Sequence, residues 1–412
     1  MSTEATKAEA GGPRLLGLSR NVFFLGVVSF LTDVSSELTL TILPLFLTDV
    51  LRVGTAIVGL IEGVAESTAT LMRLVSGWLS DLKGQRKPLA VIGYSLSTAA
   101  KPFLYLASTW GLVLVVRFAD RVGKGIRTAP RDALLADSTS PEERGKSFGF
   151  HRSLDSLGAM VGLGIAAVVV FVLQSRELLL TRSTYQTLVL AGIVPAVLGV
   201  LVLLFLVRER RPRLQPRPAG TGSRGLDLSA FKSLDRRFKL FLLVAGLFTL
   251  GNSSDAFLIL RAHNIGLSTL DILLVLVLFN AVYAAVSYPA GVLSDKLGRK
   301  LVILVGWAIY GMIYLGFALA GAAWQIVLLF VLYGVYYGAT EGVLRALVAD
   351  LVPERARGSA YGLYHSVVGI SMLPASVIAG VLWQVVSPAA PFFFGAALAL
   401  LAMVALAALI RK

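Results

Sequence analysis

The fold class expected of this 412-residue chain is an all-α membrane protein, with twelve transmembrane helices in two pseudo-symmetric six-helix bundles. Composition points there first. Hydrophobic residues make up 56% of the chain and the mean hydropathy is +0.78, too little polar residue to cover the surface of a water-soluble fold. Spacing points the same way, since about twelve apolar stretches recur, each near the roughly 20 residues that a helix needs to cross a bilayer. Texture excludes the alternative: runs such as Leu273 to Phe279 are continuously apolar, whereas strands of a membrane barrel alternate apolar and polar residues.

Along the chain, residues 1–20 form a hydrophilic tail with Lys7 and Arg14. The apolar stretch that follows is longer than a cleavable signal and lacks a small-residue cleavage site, so the tail is expected to stay in place on the cytoplasmic side. An N-terminal bundle over 21–207 is predicted from spans near 21–48, 55–80, 88–108, 111–137, 147–174 and 184–207. Residues 208–237, with Pro212, Pro216, Pro218 and Gly220, read as a cytoplasmic linker. A C-terminal bundle over 238–410 is predicted from spans near 238–260, 270–294, 301–322, 324–348, 359–383 and 390–410.

Lys and Arg number 38 against 24 Asp and Glu, a net +14 that in a soluble protein would suggest nucleic-acid binding. Location decides otherwise. The tail, the even-to-odd connections and the C-terminus carry 25 of the 38, the opposite side only Arg52, Arg176, Arg182 and Arg261, and the rest lie inside spans. By the positive-inside rule both termini are expected in the cytoplasm of a multi-pass inner-membrane protein. The excess charge then faces anionic lipid, and no nucleic-acid partner is expected. With no Cys and three scattered His, no disulfide, thiolate zinc site or metal cage is expected, and no cofactor.

The chain repeats itself. Gly77, Asp81, Lys83, Gly84, Arg86 and Lys87 after the second span have counterparts in Gly291, Asp295, Gly298, Arg299 and Lys300 after the eighth, Gly77 and Gly291 being 214 residues apart. Past the fourth span come Ala133, Asp137, Pro141, Arg144 and Gly145; past the tenth, Ala346, Asp350, Pro353, Arg357 and Gly358, with Arg144 and Arg357 213 apart. Two motif pairs at nearly one offset mark a tandem duplication. Their Gly-x-x-x-Asp-x-x-Gly-x-Arg-Lys loop resembles the hallmark of the major facilitator superfamily, over essentially the whole chain. The resemblance implies two bundles around a central cavity lined by the first and fourth helices of each, with alternating access by rocking of the bundles. Thr32, Asp33, Ser35, Ser36 and Glu37, with the run from Asp120 to Asp132, further resemble a prokaryotic branch whose substrates are mostly unassigned. The fifth helix has Gly158, Gly162 and Gly164 but lacks the Gly-Pro pair usual in drug antiporters of the superfamily.

Charge inside the bilayer is costly and therefore informative, at about 2.5–3.5 kcal/mol per residue on insertion scales. The intramembrane bases are Arg73, Lys101, Arg117, Arg121, Lys124, Arg127, Arg131 and Arg152, with Arg345 alone in the C-terminal half. At about 100° per residue, Arg117, Asp120, Arg121, Lys124, Arg127, Arg131 and Asp132 share an arc of about 140° on the fourth helix. Such a stripe is expected to face a water-filled cavity, the alternative being an ion-paired face that only keeps the cavity wet. Arg117, Arg121 and Lys124 are expected to bind substrate, together with Asp255, Tyr337, Glu341 and Arg345. Asp33 and Glu37, and Glu62 and Glu66, are each four apart on one helix face; two such carboxylates do not both ionise cheaply, which suits proton coupling by these four and Asp120. Fixed salt bridges to Arg117, Arg121 or Lys124 are the other role open to each. Gate residues are expected where the bundles meet: Gly77, Asp81, Arg86, Lys87, Arg127, Arg131, Asp132, Arg144, Asp295, Arg299, Lys300 and Arg357. Tyr283, Tyr288, Tyr310, Tyr314, Tyr333, Tyr336 and Tyr337 are expected to form an aromatic wall opposite the charged one.

No nucleophile or metal constellation supports an enzyme, and two unlike halves build no ring of identical filter segments for a channel. The reading is a monomeric secondary transporter, proton-coupled, for a small organic solute, an anion being favoured by the net +3 of the fourth-helix stripe. A proton-coupled multidrug efflux antiporter is the alternative. Direction of transport is not expected to be legible.

Overall fold

A computed structural model describes residues 14–15, 17–83, 85–139, 143–174, 177–209, 235–352 and 357–409. Most of the N-terminal tail and the proposed linker lie outside these residues. The chain folds into twelve membrane-spanning helices. Helix α1 covers Arg20–Leu40 and runs on through Leu43–Leu45 and a π-helical turn, Phe46–Val50; Pro44, which has no N–H to give, sits in that break. Then come α2 (Thr55–Lys83), α3 (Lys87–Ala100), α4 (Trp110–Asp137), α5 (Arg144–Gln174) and α6 (Arg182–Phe205). The second half holds α7 (Arg236–Gly251, resumed as Ala256–Asn264), α8 (Thr269–Leu297), α9 (Arg299–Leu319), α10 (Ala323–Asp350), α11 (Arg357–Val385) and α12 (Ala390–Leu409).

Three local departures from the sequence expectation have physical causes. A two-residue hairpin, Arg14–Leu15 against Leu18–Ser19, precedes α1, turned by Gly17 at φ 72°. The third span continues beyond Ala100 as a 3₁₀ turn, Lys101–Leu104, in which Pro102 cannot extend an α-helical ladder. The seventh is not continuous. Asn252, Ser253, Ser254 and Asp255 offer side-chain oxygens that compete for backbone N–H groups, and Tyr310 Oη donates to the Gly251 carbonyl at 3.2 Å and to Asn252 Oδ1 at 3.2 Å.

Among the described residues ten helices are long and apolar enough to cross a membrane by themselves. The two that fall short are α3, cut by its 3₁₀ turn, and α4, which is charged. Helix α4 therefore turns its charged face inward and packs against α2 and α3, leaving Val115 and Phe118 exposed. Around the outside the pattern is inverted relative to a soluble protein: Phe171, Val172, Leu243 and Leu319 are exposed while Arg117, Asp120 and Arg121 are buried.

Packing repeats the duplication. In the first half α1 lies against α5 and α6, and α4 against α2 and α3; in the second α7 lies against α11 and α12, and α10 against α8 and α9. The halves meet through α2 on α11 and α8 on α5, two contacts that exchange under the same pseudo-two-fold relation. The α2–α11 crossing is close because small residues face each other: a Cβ on Gly59 would collide with the Ser376 carbonyl, and Ser67 Oγ donates to the Gly369 carbonyl at 2.6 Å.

Candidate functional site

Where the halves face each other they line an open cavity of about 410 Å³. Helix α1 turns Asp33, Ser36, Glu37 and Thr41 toward it, α2 turns Glu62 and Glu66, and α4 turns Arg117, Asp120, Arg121, Lys124 and Arg127. Each set repeats at three or four residues, so one face of each helix supplies it. The second half contributes Asn252 to Asp255 from the break in α7, Phe279 and Asn280 from α8, and Tyr337 from α10. The cavity thus gathers all five residues expected to couple protons and five of the seven expected to bind substrate. Glu341 and Arg345, the other two, lie outside the described side chains.

Most of the charge is already paired. Arg117 grips Glu62 through Nη2–Oε2 at 2.8 Å and Nε–Oε1 at 3.2 Å, both residues being about 5% exposed. Arg121 reaches Glu66 at 3.2 Å and Asp120 at 3.5 Å. Glu37 accepts a hydrogen bond from Thr41 Oγ1. Arg127 lies over the ring of Tyr94, 4.3 Å from its centroid, inside the first half. Among the described residues neither Asp33 nor Lys124 makes a side-chain hydrogen bond or ion pair. Asp255 accepts from Tyr333 Oη at 2.8 Å.

The expected gate residues divide. Asp81, Arg144, Asp295, Arg299 and Arg357 lie outside the described side chains. Gly77 brings α2 against Ala129 of α4. Arg86 pairs with Asp137 at 2.7 Å, the backbone amides of Arg86 and Lys87 donate to Glu209, and Lys87 Nζ donates to the Leu204 carbonyl at 2.8 Å. Arg131 binds Asp132 at 2.8 Å and Ser29 Oγ at 3.2 Å. These described contacts stay within the first half. Lys300 lies in the first turn of α9, which Gly298 precedes. Polar contacts that cross between halves include Arg152 with Tyr283 Oη, a tyrosine expected in the aromatic wall, at 3.1 Å, and Asp49 Oδ1 with His263 Nε2, two residues given no role from sequence, at 3.4 Å.

The aromatic wall needs correction. Tyr310, Tyr314, Tyr333 and Tyr336 are buried inside the second half, where Tyr310 stacks on Tyr314 at 4.2 Å and Phe248 on Trp307 at 4.3 Å. Only Tyr337, of the described tyrosines, lines the cavity, with Phe279 beside it; the Tyr288 side chain is not among those described. The reason is rotational: residues one apart on α10 point about 100° apart, so Tyr336 faces the interior of the half while Tyr337 faces the cavity.

Sequence reasoning counted Lys101 among the intramembrane bases but gave it no role. It is 1% exposed, and its ammonium donates to Ser35 Oγ at 2.7 Å and Ser36 Oγ at 3.2 Å on α1. The polar break at Asn252 to Asp255 was the one missed feature with a sequence signal, a run of four short polar residues inside an apolar span.

The sequence profile of the Major Facilitator Superfamily matches residues 25–262 and 255–412. The chain is 37% identical over 392 residues to an MFS-type transporter of Methanocaldococcus jannaschii, covering 93% of each. It is 29% identical over 372 residues to a protein of Mycobacterium tuberculosis, covering 89% of this chain and 87% of that one. Among solved structures it superposes on the nucleoside transporter NupG with a TM-score of 0.77 at 14% identity, over 95% of this chain and 99% of that one.

Proposed function

Because the chain belongs to the Major Facilitator Superfamily, we propose that it is a proton-coupled secondary transporter moving a small organic solute with an anionic group. The observation that carries this reading is a cavity shared by both halves in which Lys124 has no hydrogen-bond or ion-pair partner among the described residues. An ammonium on a cavity wall without a fixed contact partner is stabilised by an incoming carboxylate or phosphate. Arg117 and Arg121 hold carboxylates instead and shape the wall, which narrows the expected anion contact to Lys124. A body with a flat face fits against Phe279 and Tyr337.

Residues 21–207 and 238–410 are the two rocking units in this reading, joined by the cytoplasmic linker 208–237, in a monomer held in the cell membrane with both termini inside. Alternating access requires the Asp49–His263 contact, which lies at the outer ends of α1 and α7 in this orientation, to part when the outer side opens. His263→Ala is expected to speed labelling, by a membrane-impermeant maleimide added outside, of a Cys placed at Ser36 in this Cys-free chain; an unchanged rate removes the contact from the gate.

Transport in proteoliposomes with an imposed pH gradient tests the function itself. Lys124→Met should weaken apparent affinity for a transported anion by about tenfold or more, the order expected when a charged hydrogen bond to a ligand is lost. If Lys124→Met leaves every anion unaffected, or only cations are carried, the anion reading fails and the multidrug antiporter, favoured by the carboxylates Asp33, Glu37 and Asp255, replaces it.

A further inference from the structure

Each half brings to the cavity a charged group that has no ion-pair partner among the described residues. On the first half Arg117 holds Glu62 and Arg121 reaches Glu66 and Asp120, while Lys124 makes no hydrogen bond or ion pair among the described residues and feels the carboxylates Glu66 and Asp33 only at longer range. Among the described side chains of the second half, Asp255 is the charged one at the cavity. Its hydrogen bond comes from a neutral phenol, Tyr333, and the charged groups it feels across the cavity are themselves carboxylates, Glu62 and Glu66. Among the described side chains no base of the second half lines the space. A carboxylate so placed, at the start of the resumed helix of α7, has that helix N-terminus, water and a ligand as its remaining sources of compensation.

We propose that the transported solute is a small zwitterion, its anionic group on Lys124 of α4 and its cationic group on Asp255 of α7. This rests on the transport reading above and names the substrate class of the same site. A solute of one charge answers either Lys124 or Asp255, not both. A zwitterion answers both, and because Lys124 and Asp255 belong to opposite halves, it also links the two units that must move together. Asn252, Ser253 and Asn280 add uncharged donors and acceptors near the cationic end, and the cavity of about 410 Å³ suits a molecule of metabolite size.

The test uses purified full-length protein and a matched panel: ω-amino acids of increasing chain length and 4-(aminomethyl)benzoate. Each is paired with the carboxylate lacking the amine and the amine lacking the carboxylate. At least one zwitterion is expected to bind about tenfold or more tightly than both of its singly charged counterparts, the order of a lost charged hydrogen bond. Lys124→Met should erase its advantage over the amine and leave its advantage over the carboxylate; Asp255→Asn should do the reverse. Lys124→Gln and Asp255→Ser serve if either first variant does not fold. Binding of carboxylates alone, dependent on Lys124, overturns the zwitterion and leaves the anion transporter standing. Binding of amines alone overturns both. A panel in which no zwitterion is preferred, including one in which nothing binds, overturns the inference.

Discussion

Replacing Arg117 by Ala is expected to cost about 3–5 kcal/mol of stability, the order found when one partner of a buried ion pair is removed and the other stays behind. Arg117 and Glu62 are each about 5% exposed and share two hydrogen bonds across α2 and α4. Without the guanidinium, Glu62 must either hold an uncompensated charge in a water-poor site or take up a proton. Removing both partners is a different perturbation. Arg117→Met combined with Glu62→Met deletes the desolvation cost along with the attraction and should recover most of the loss. Thermal unfolding of the purified protein measures both. If Arg117→Ala unfolds at the wild-type temperature, the pair does not hold α2 to α4.

Loss of proton coupling is the larger functional effect expected, and the pairing pattern says where to look for it. Glu62, Glu66 and Asp120 are engaged by arginines, so their charge is compensated in place. Asp33 makes no side-chain hydrogen bond or ion pair among the described residues, and Glu37 has only the hydroxyl of Thr41. A carboxylate free of a fixed counter-ion is the one that can gain and lose a proton as its surroundings change through the cycle. Asp33→Asn and Glu37→Gln, made separately, are expected to abolish accumulation driven by a pH gradient while counterflow, which needs no net proton movement, survives in at least one. Accumulation that persists in both variants would take the coupling away from α1 and return it to the arginine-paired carboxylates of α2 and α4.

The same cavity shows how far one helix can be read without its neighbours. Residue order and the 3.6-residue period determined that α4 has a charged face from Arg117 to Asp132, because angles between positions on one helix follow from helical geometry alone. Run length and basic loops determined the spans, and the echo of Gly77 to Lys87 in Gly291 to Lys300 determined that the fold is a duplication. None of these needs a contact between helices. The tertiary structure alone decided that Arg117 takes Glu62 rather than Asp33, that Lys101 rests on Ser35 and Ser36, and that Tyr336 turns inward while Tyr337 meets the cavity. Those outcomes depend on how far each helix is rotated and shifted against the next, set by close packing at residues such as Gly59 and Ser376. A period in the sequence specifies the face of a helix, whereas the direction in which that face points is settled only when the helices pack.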